Sequence, residues 1–252
     1  MENGARKIKA LLFDKDGTLY DNAEIWQGIF RKSIKKALQD FGWDNHIGWD
    51  DDLLTLLGYD GEGKPISQGL VFNHRKRNIL KRSLRFCISH RILVHRFIKL
   101  ANTIYAYCDQ LLEDRIKQID FTPLEDLFHE LKKKGYILGL ITQDKESSTD
   151  VFLKYMGIAD CLDFVTNRSD KLPKKPNPKS FNVFCEKFHL ESGEVAFVGD
   201  SKVDMEYAQN ALAGYKIGIL WGSGDKEALE KGADIIYPDI YGLYSDTVLF
   251  EE

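Results

Sequence analysis

The chain has 252 residues, of which 43% are hydrophobic and 29% charged, and its formal net charge is -4. That is enough apolar material for one large domain or a core with a smaller companion, and neither sign of charge dominates in the way expected of a nucleic-acid or membrane binder. The four cysteines, Cys87, Cys108, Cys161 and Cys185, form no Cys-x-x-Cys pair, and a chain this long needs no disulfide staples, so they read as reduced, buried thiols.

At the N-terminus, Met1–Lys9 is polar and charged. The apolar run that follows, Ala10–Phe13, is too short for the apolar stretch of a signal peptide. No apolar run approaches the ~20 residues needed to span a bilayer, so a soluble, cytoplasmic protein is expected. Ile8–Phe13 reads as a short buried strand. Between Asn22 and Asp120 the pattern becomes helical: Ile25, Ile29, Phe30, Ile34, Ala37, Leu38 and Phe41 recur at helical spacing, as do Phe86, Leu93, Phe97, Leu100 and Ile104. Gly58, Gly61 and Gly63 mark a loop inside this stretch. From about Thr122 onward, short apolar runs alternate with amphipathic segments. Thr122-Pro123-Leu124-Glu125 has the form of a capping box with proline at the first helical position, and Lys132-Lys133-Lys134-Gly135 closes that helix. Strands are predicted over Tyr136–Ile141, Cys161–Thr166, Val195–Val198, Tyr215–Leu220 and Ile235–Tyr237. Helices are predicted over Asp150–Met156, Pro178–His189 with Asn177 as cap, Val203–Ala213 and Asp225–Lys231. Strands alternating with helices make a parallel sheet covered on both faces.

Four polar segments fall at the C-terminal ends of predicted strands, the edge where open parallel sheets bind ligands. In Asp14-Lys15-Asp16-Gly17-Thr18, two carboxylates two residues apart can serve one pocket, one attacking and one handling a proton; Gly17 allows the backbone to approach phosphate oxygens. An ordinary turn would use the same residues. Thr142, with Gln143, ends a strand where a helix start would offer N–H groups to an anion, although a simple N-cap threonine reads the same way. Lys174-Lys175-Pro176-Asn177-Pro178 could aim a lysine inward or be a solvated basic loop, and Lys171 and Lys174 compete with Lys175 for the role. In Gly199-Asp200-Ser201-Lys202-Val203-Asp204, Asp200 and Asp204 share one side of a helix start, and carboxylates suit hard Mg²⁺. The alternative is a capped helix whose acidic residues favour the dipole.

In order and spacing, the four segments resemble the signature motifs of the haloacid dehalogenase-like (HAD) superfamily, most closely its phosphoglycolate phosphatase-like branch with a helical cap. The resemblance implies an α/β fold: a doubly wound, Rossmann-like parallel-sheet core over residues 1–21 and 121–252, with an inserted all-helical cap over residues 22–120. It implies a Mg²⁺-dependent phosphatase that acts on a small phosphorylated metabolite. Asp14 would be the nucleophile and a metal ligand. Asp16 would be the general acid and base, with its backbone carbonyl on the metal. Thr142 and Lys175 would hold the phosphoryl group, with Gly17, Thr18 and Gln143 beside it. Asp200 would ligate the metal, and Asp204 would bind it through water or orient Lys175. The family often has Asn where Gln143 stands, which bears on substrate positioning. Asp16 sets the chain apart from halide-removing relatives, which lack the second aspartate. A sugar-phosphate mutase or a phosphate-binding non-enzyme would carry the same motifs.

The insert is asymmetric in charge. Gly63–Cys108 contains no Asp or Glu, yet it holds ten of the chain's 35 Lys and Arg: Lys64, Arg75, Lys76, Arg77, Lys81, Arg82, Arg85, Arg91, Arg96 and Lys99. A solvated face would show this pattern, and so would a lid that attracts anionic substrates. No nucleic-acid module accompanies the charges, so no nucleic-acid partner is expected. His74, His90 and His95 lack a metal-site spacing and read as surface or packing residues.

Overall fold

A computed structural model of the chain describes residues 7–21, 25–26, 28–60, 76–222 and 226–245. The chain divides into two compact units, residues 1–22 with 119–252, and residues 23–118.

The first unit is built on six parallel strands: β1 (Ala10–Phe13), β2 (Ile137–Ile141), β3 (Phe164–Thr166), β4 (Val195–Gly199), β5 (Tyr215–Ile219) and β6 (Ile235–Tyr237). Their order is β3-β2-β1-β4-β5-β6. The order reverses at β1, which lies between β2 and β4, and such a switch point opens a crevice at the C-terminal edge. All four β1 residues are apolar and fully buried, because a strand covered on both faces gains nothing from polar alternation. Ala10 and Leu12 pack with Phe181, Phe184, Tyr207 and Ala208 on one side, while Phe13 faces Phe128 with ring centroids 5.0 Å apart.

In this unit the second half of the chain supplies α5 (Thr122–Lys133), α6 (Glu146–Met156), α7 (Lys179–Phe188), α8 (Lys202–Asn210) and α9 (Lys226–Gly232), numbered after the four helices of the other unit. Some boundaries differ from expectation. The first helical residue of α5 is Thr122, and its N–H donates to Asp120 Oδ1 at 3.0 Å, so the side-chain cap is Asp120 rather than a Thr122–Glu125 box. Helix α6 starts at Glu146, a turn earlier than Asp150. Cys161 closes a 3₁₀ turn, and β3 begins only at Phe164. Helix α8 stops at Asn210, and Leu212 takes a positive φ of 57°. Asn177 Oδ1 does accept the Lys179 N–H at 3.0 Å, at the entry to α7.

The second unit holds α1 (Ile29–Asp40), α2 (Trp49–Leu57), α3 (Lys76–Ser89) and α4 (Val94–Ile116). Ile29, Phe30, Ile34, Ala37 and Leu38 of α1 share a buried core with Leu53 and Leu54 of α2, Phe86 of α3, and Phe97, Leu100 and Ile104 of α4. Leu93 does not join it; as the residue before α4 it is 62% exposed. Asp50, Asp51 and Asp52 occupy the first turn of α2, where the helix dipole favours negative charge. Gly58 ends α2 with a φ of 113°; Gly61 and Gly63 lie outside the described residues, as do Lys64, His74 and Arg75. Arg77, Lys81, Arg85, Arg91, Arg96 and Lys99 are exposed. His90 stacks on Phe86 and lies 2.9 Å from Asp52, a packing role. The four cysteines are free and buried. No helix among the described residues is long and apolar enough to cross a membrane.

Candidate active site

The site begins where β1 ends. Leu12 and Phe13 pair with Phe197 and Val198 of β4, and the Asp14 N–H continues that ladder to the Val198 carbonyl at 2.9 Å. Asp14 and Asp200 therefore emerge from neighbouring strands at the same edge. On the other side of β1, Phe13 pairs with Leu140, which brings Thr142 to that edge too. Its N–H donates to the Thr166 carbonyl at 3.0 Å, and its hydroxyl accepts the Asp144 N–H at 3.2 Å. Thr142 is buried, and because α6 starts at Glu146 it is not that helix's N-cap. Gln143 follows it, partly buried.

Lys175 joins the first and last motifs. Its ammonium donates to Asp14 Oδ1 and, at 2.5 Å, to Asp204 Oδ1, with only 5% of the side chain exposed. Lys171 and Lys174 are exposed, so Lys175 is the lysine within the cluster. Helix α8 fixes this lysine from both ends. At the N-terminus, Ser201 Oγ accepts the Asp204 N–H, and Asp204 Oδ2 accepts from the Ser201 N–H at 3.1 Å and from its hydroxyl, a reciprocal cap. One carboxylate thus closes the helix with one oxygen and holds Lys175 with the other. At the C-terminal end, Asn210 Nδ2 donates to the Pro176 carbonyl at 2.9 Å.

Asp200 is buried between two glycines. A Cβ on Gly17 would lie 2.6 Å from Asp200 Oδ2, and one on Gly222 would lie 2.3 Å from the same oxygen and 2.3 Å from the Gly17 carbonyl. Gly17 also has a φ of 79°, which L side chains rarely adopt. Trp221 Nε1 donates to the Thr18 carbonyl at 3.1 Å, tying the first loop to the one after β5. Thr18 is fully buried, and its hydroxyl has no hydrogen-bond partner among the described residues.

Single carboxylate oxygens of Asp14, Asp200 and Asp204 lie within 4.8 Å of one another. Burial is the largest influence on Asp14 and raises its pKa; Lys175 lowers it and Asp204 and Asp16 raise it, leaving it at about 7. For Lys175, burial disfavours the ammonium, but Asp14 and Asp204 together outweigh it and hold the pKa above the ordinary lysine value. Lys175 bridges Asp14 and Asp204, and an Asp200 oxygen lies within 4.8 Å of theirs. All-oxygen donors of this kind suit a hard divalent cation such as Mg²⁺, so these residues fit a magnesium site. The Asp16 carboxylate is not among the three. Its Oδ1 accepts from Lys15 Nζ at 2.7 Å and from the Tyr20 hydroxyl.

Sequence reasoning passed over Lys15, Tyr20, Asp144 and Ser201. Lys15 was the most visible of them, a lysine set between the paired aspartates and fully buried in the structure.

Fold and site together define a doubly wound α/β unit with an acidic cluster and a buried lysine at its switch point. Residues 8–211 match the family model for haloacid dehalogenase-like hydrolases, and the chain belongs to that family. It is 24% identical over 244 residues to a phosphoglycolate phosphatase of Shigella boydii, covering 96% of this chain and 93% of that protein. Among solved structures, it resembles a predicted phosphoglycolate phosphatase of Haemophilus somnus, with a TM-score of 0.62, 20% identity and coverage of 94% and 96%. It also resembles a β-phosphoglucomutase of Clostridium difficile, with a TM-score of 0.55, 19% identity and coverage of 94% and 93%. At these identities the two structures speak for the fold alone.

Proposed function

We propose that this hydrolase is a Mg²⁺-dependent phosphatase that releases phosphate from a small metabolite of the phosphoglycolate kind through an aspartyl-phosphate on Asp14. The observation that carries the proposal is the buried bridge from Lys175 to Asp14 and Asp204, with Asp200 beside it at the switch point. The obstacle in phosphoryl transfer is charge, since an anionic carboxylate must approach an anionic phosphate. Lys175 opposes that repulsion at the nucleophile, and Mg²⁺ held by Asp14, Asp200 and the Asp16 carbonyl, with Asp204 reaching it through water or orienting Lys175, would add positive charge against the phosphate. Thr142 holds the phosphoryl oxygens, with Gly17, Thr18 and Gln143 beside them. An Asp14 oxygen attacks phosphorus, the phosphorus–oxygen bond to the substrate breaks, and Asp16 gives its proton to the departing alkoxide. Asp16 then takes a proton from water, whose oxygen attacks the same phosphorus and frees phosphate and the Asp14 carboxylate. The helical insert, residues 22–120, acts as a cap that selects the substrate.

A panel of phosphorylated metabolites assayed for phosphate release, with Mg²⁺ and with a chelator, tests this reading. Activity is expected only with the metal, and Asp14→Asn is expected to lower it by roughly a thousandfold or more. Full turnover in chelator, or near-normal turnover by the variant, would overturn it. A mutase would instead return the phosphoryl group to a sugar, and product analysis separates isomer from free phosphate.

A further inference from the structure

We infer that Lys15 is a positioning residue for Asp16, and that Asp144 is the spare counterion that lets Asp16 leave it. The inference rests on the phosphatase reading, in which Asp16 carries the proton of the leaving group.

Lys15 is fully buried. Its ammonium lies 2.7 Å from Asp16 Oδ1, 3.0 Å from Asp144 Oδ2 and 3.4 Å from the Tyr20 hydroxyl. It sits 3.9 Å above the centroid of the Phe152 ring. That ring stacks on Tyr20 at 5.2 Å with an interplanar angle of 12°, so the Tyr20 hydroxyl is aimed by packing. The two carboxylates differ from the lysine in exposure: the side chains of Asp16 and Asp144 are 35% and 39% exposed. The cation is walled in, and its partners stand at the wall.

A buried ammonium cannot lose its only counterion cheaply. With one carboxylate beside it, Lys15 would hold Asp16 fast and keep it from the substrate. With two, either can turn away while the other stays. Asp144 is well placed to stay: its Oδ2 also accepts from Ser148 Oγ at 3.3 Å, and its carbonyl accepts the Arg168 N–H at 2.8 Å. Asp16 lies outside every named strand and helix of the described residues, its backbone paired with Tyr20 in an isolated bridge. Lys15 and Tyr20 hold the Asp16 carboxyl through its Oδ1, the proton for the leaving group is carried on Oδ2, and Asp144 remains the counterion of Lys15 when the protonated Asp16 turns to the substrate.

The test compares kcat/KM for an alkyl phosphate, whose leaving alkoxide needs a proton, with that for p-nitrophenyl phosphate, whose leaving group does not. In a reaction through a covalent phosphoenzyme, kcat/KM ends with release of the first product, so the later hydrolysis does not enter. Asp16→Asn calibrates the measurement by lowering the alkyl-to-aryl ratio. Tyr20→Phe, which keeps the ring stack, and Asp144→Asn are each expected to lower that ratio by about tenfold, less than the roughly 10²–10⁴-fold that the general acid itself contributes. Lys15→Met should do the same, and adding Asp144→Asn to it should cost nothing further, because no cation remains to be paired. Tyr20→Phe and Asp144→Asn with wild-type ratios, or with equal losses on both substrates, would overturn the positioning role. A wild-type protein that hydrolyses neither ester would overturn the phosphatase reading and this role with it. An unchanged ratio in Asp16→Asn would remove Asp16 as the acid.

Discussion

At the scale of single residues, the Asp14 carboxyl carries the sharpest consequence. Its pKa of about 7 is set first by burial and then by the surrounding charges. An unfolded aspartate titrates near ~3.9, so the folded chain holds this proton to higher pH than the unfolded one does. Ionising Asp14 therefore costs stability as pH rises from about 4 to about 7, and a cation at the cluster must displace the same proton. Saturating Mg²⁺ is expected to raise the thermal midpoint markedly at pH 8 and much less at pH 5.5; a hundredfold excess over Kd corresponds to ~2.7 kcal/mol. Thermal melts at the two pH values measure this, and equal shifts would remove Asp14 from the metal site. The paired aspartates, Lys175 and the Asp200–Asp204 spacing were legible because each follows a strand that periodicity places. The ring of Lys15, Tyr20, Asp144 and Phe152 was not, because these residues meet only once β1 and β2 lie side by side.

At the scale of elements, the sheet was legible because buried parallel strands leave continuous apolar runs, and Gly157 and Gly214 punctuate the ends of helical patterns. Helix starts were less so. Asp120 caps α5 from outside the expected box, and Ser147, Ser148 and Thr149 gave α6 no apolar signal over its first turn. Glycine makes two tests possible here. A Cβ on Gly139 of β2 would lie 2.4 Å from Leu12 Cδ2 and 3.0 Å from the Phe184 ring. Gly139→Ala is expected to destabilise the first unit by about 1–3 kcal/mol, as overpacking does, measured by denaturant titration. Gly222→Ala presses on Asp200 and on the Gly17 carbonyl. It should weaken Mg²⁺ binding at least tenfold, roughly 1.4 kcal/mol, while the protein stays folded. Unchanged affinity by titration calorimetry would mean that Asp200 does not depend on that approach.

At the scale of the whole molecule, the two units have separate cores, and the acidic cluster belongs wholly to the first. Scanning calorimetry is expected to resolve two transitions, with Mg²⁺ moving only one of them; a single transition displaced as a whole would show that the units melt together. The chain order of the sheet has a consequence for synthesis. β1 lies at the centre of the sheet, yet it is made first, and both of its neighbours are encoded beyond the helical insert, from Ile137 and from Val195. A nascent chain leaving the ribosome therefore carries an unpaired, wholly apolar strand while the insert, whose helices contact near neighbours, has already all it needs to fold. The longest exposure to misassembly falls on the segment that carries Asp14, and it ends only when β4 emerges with Asp200 behind it.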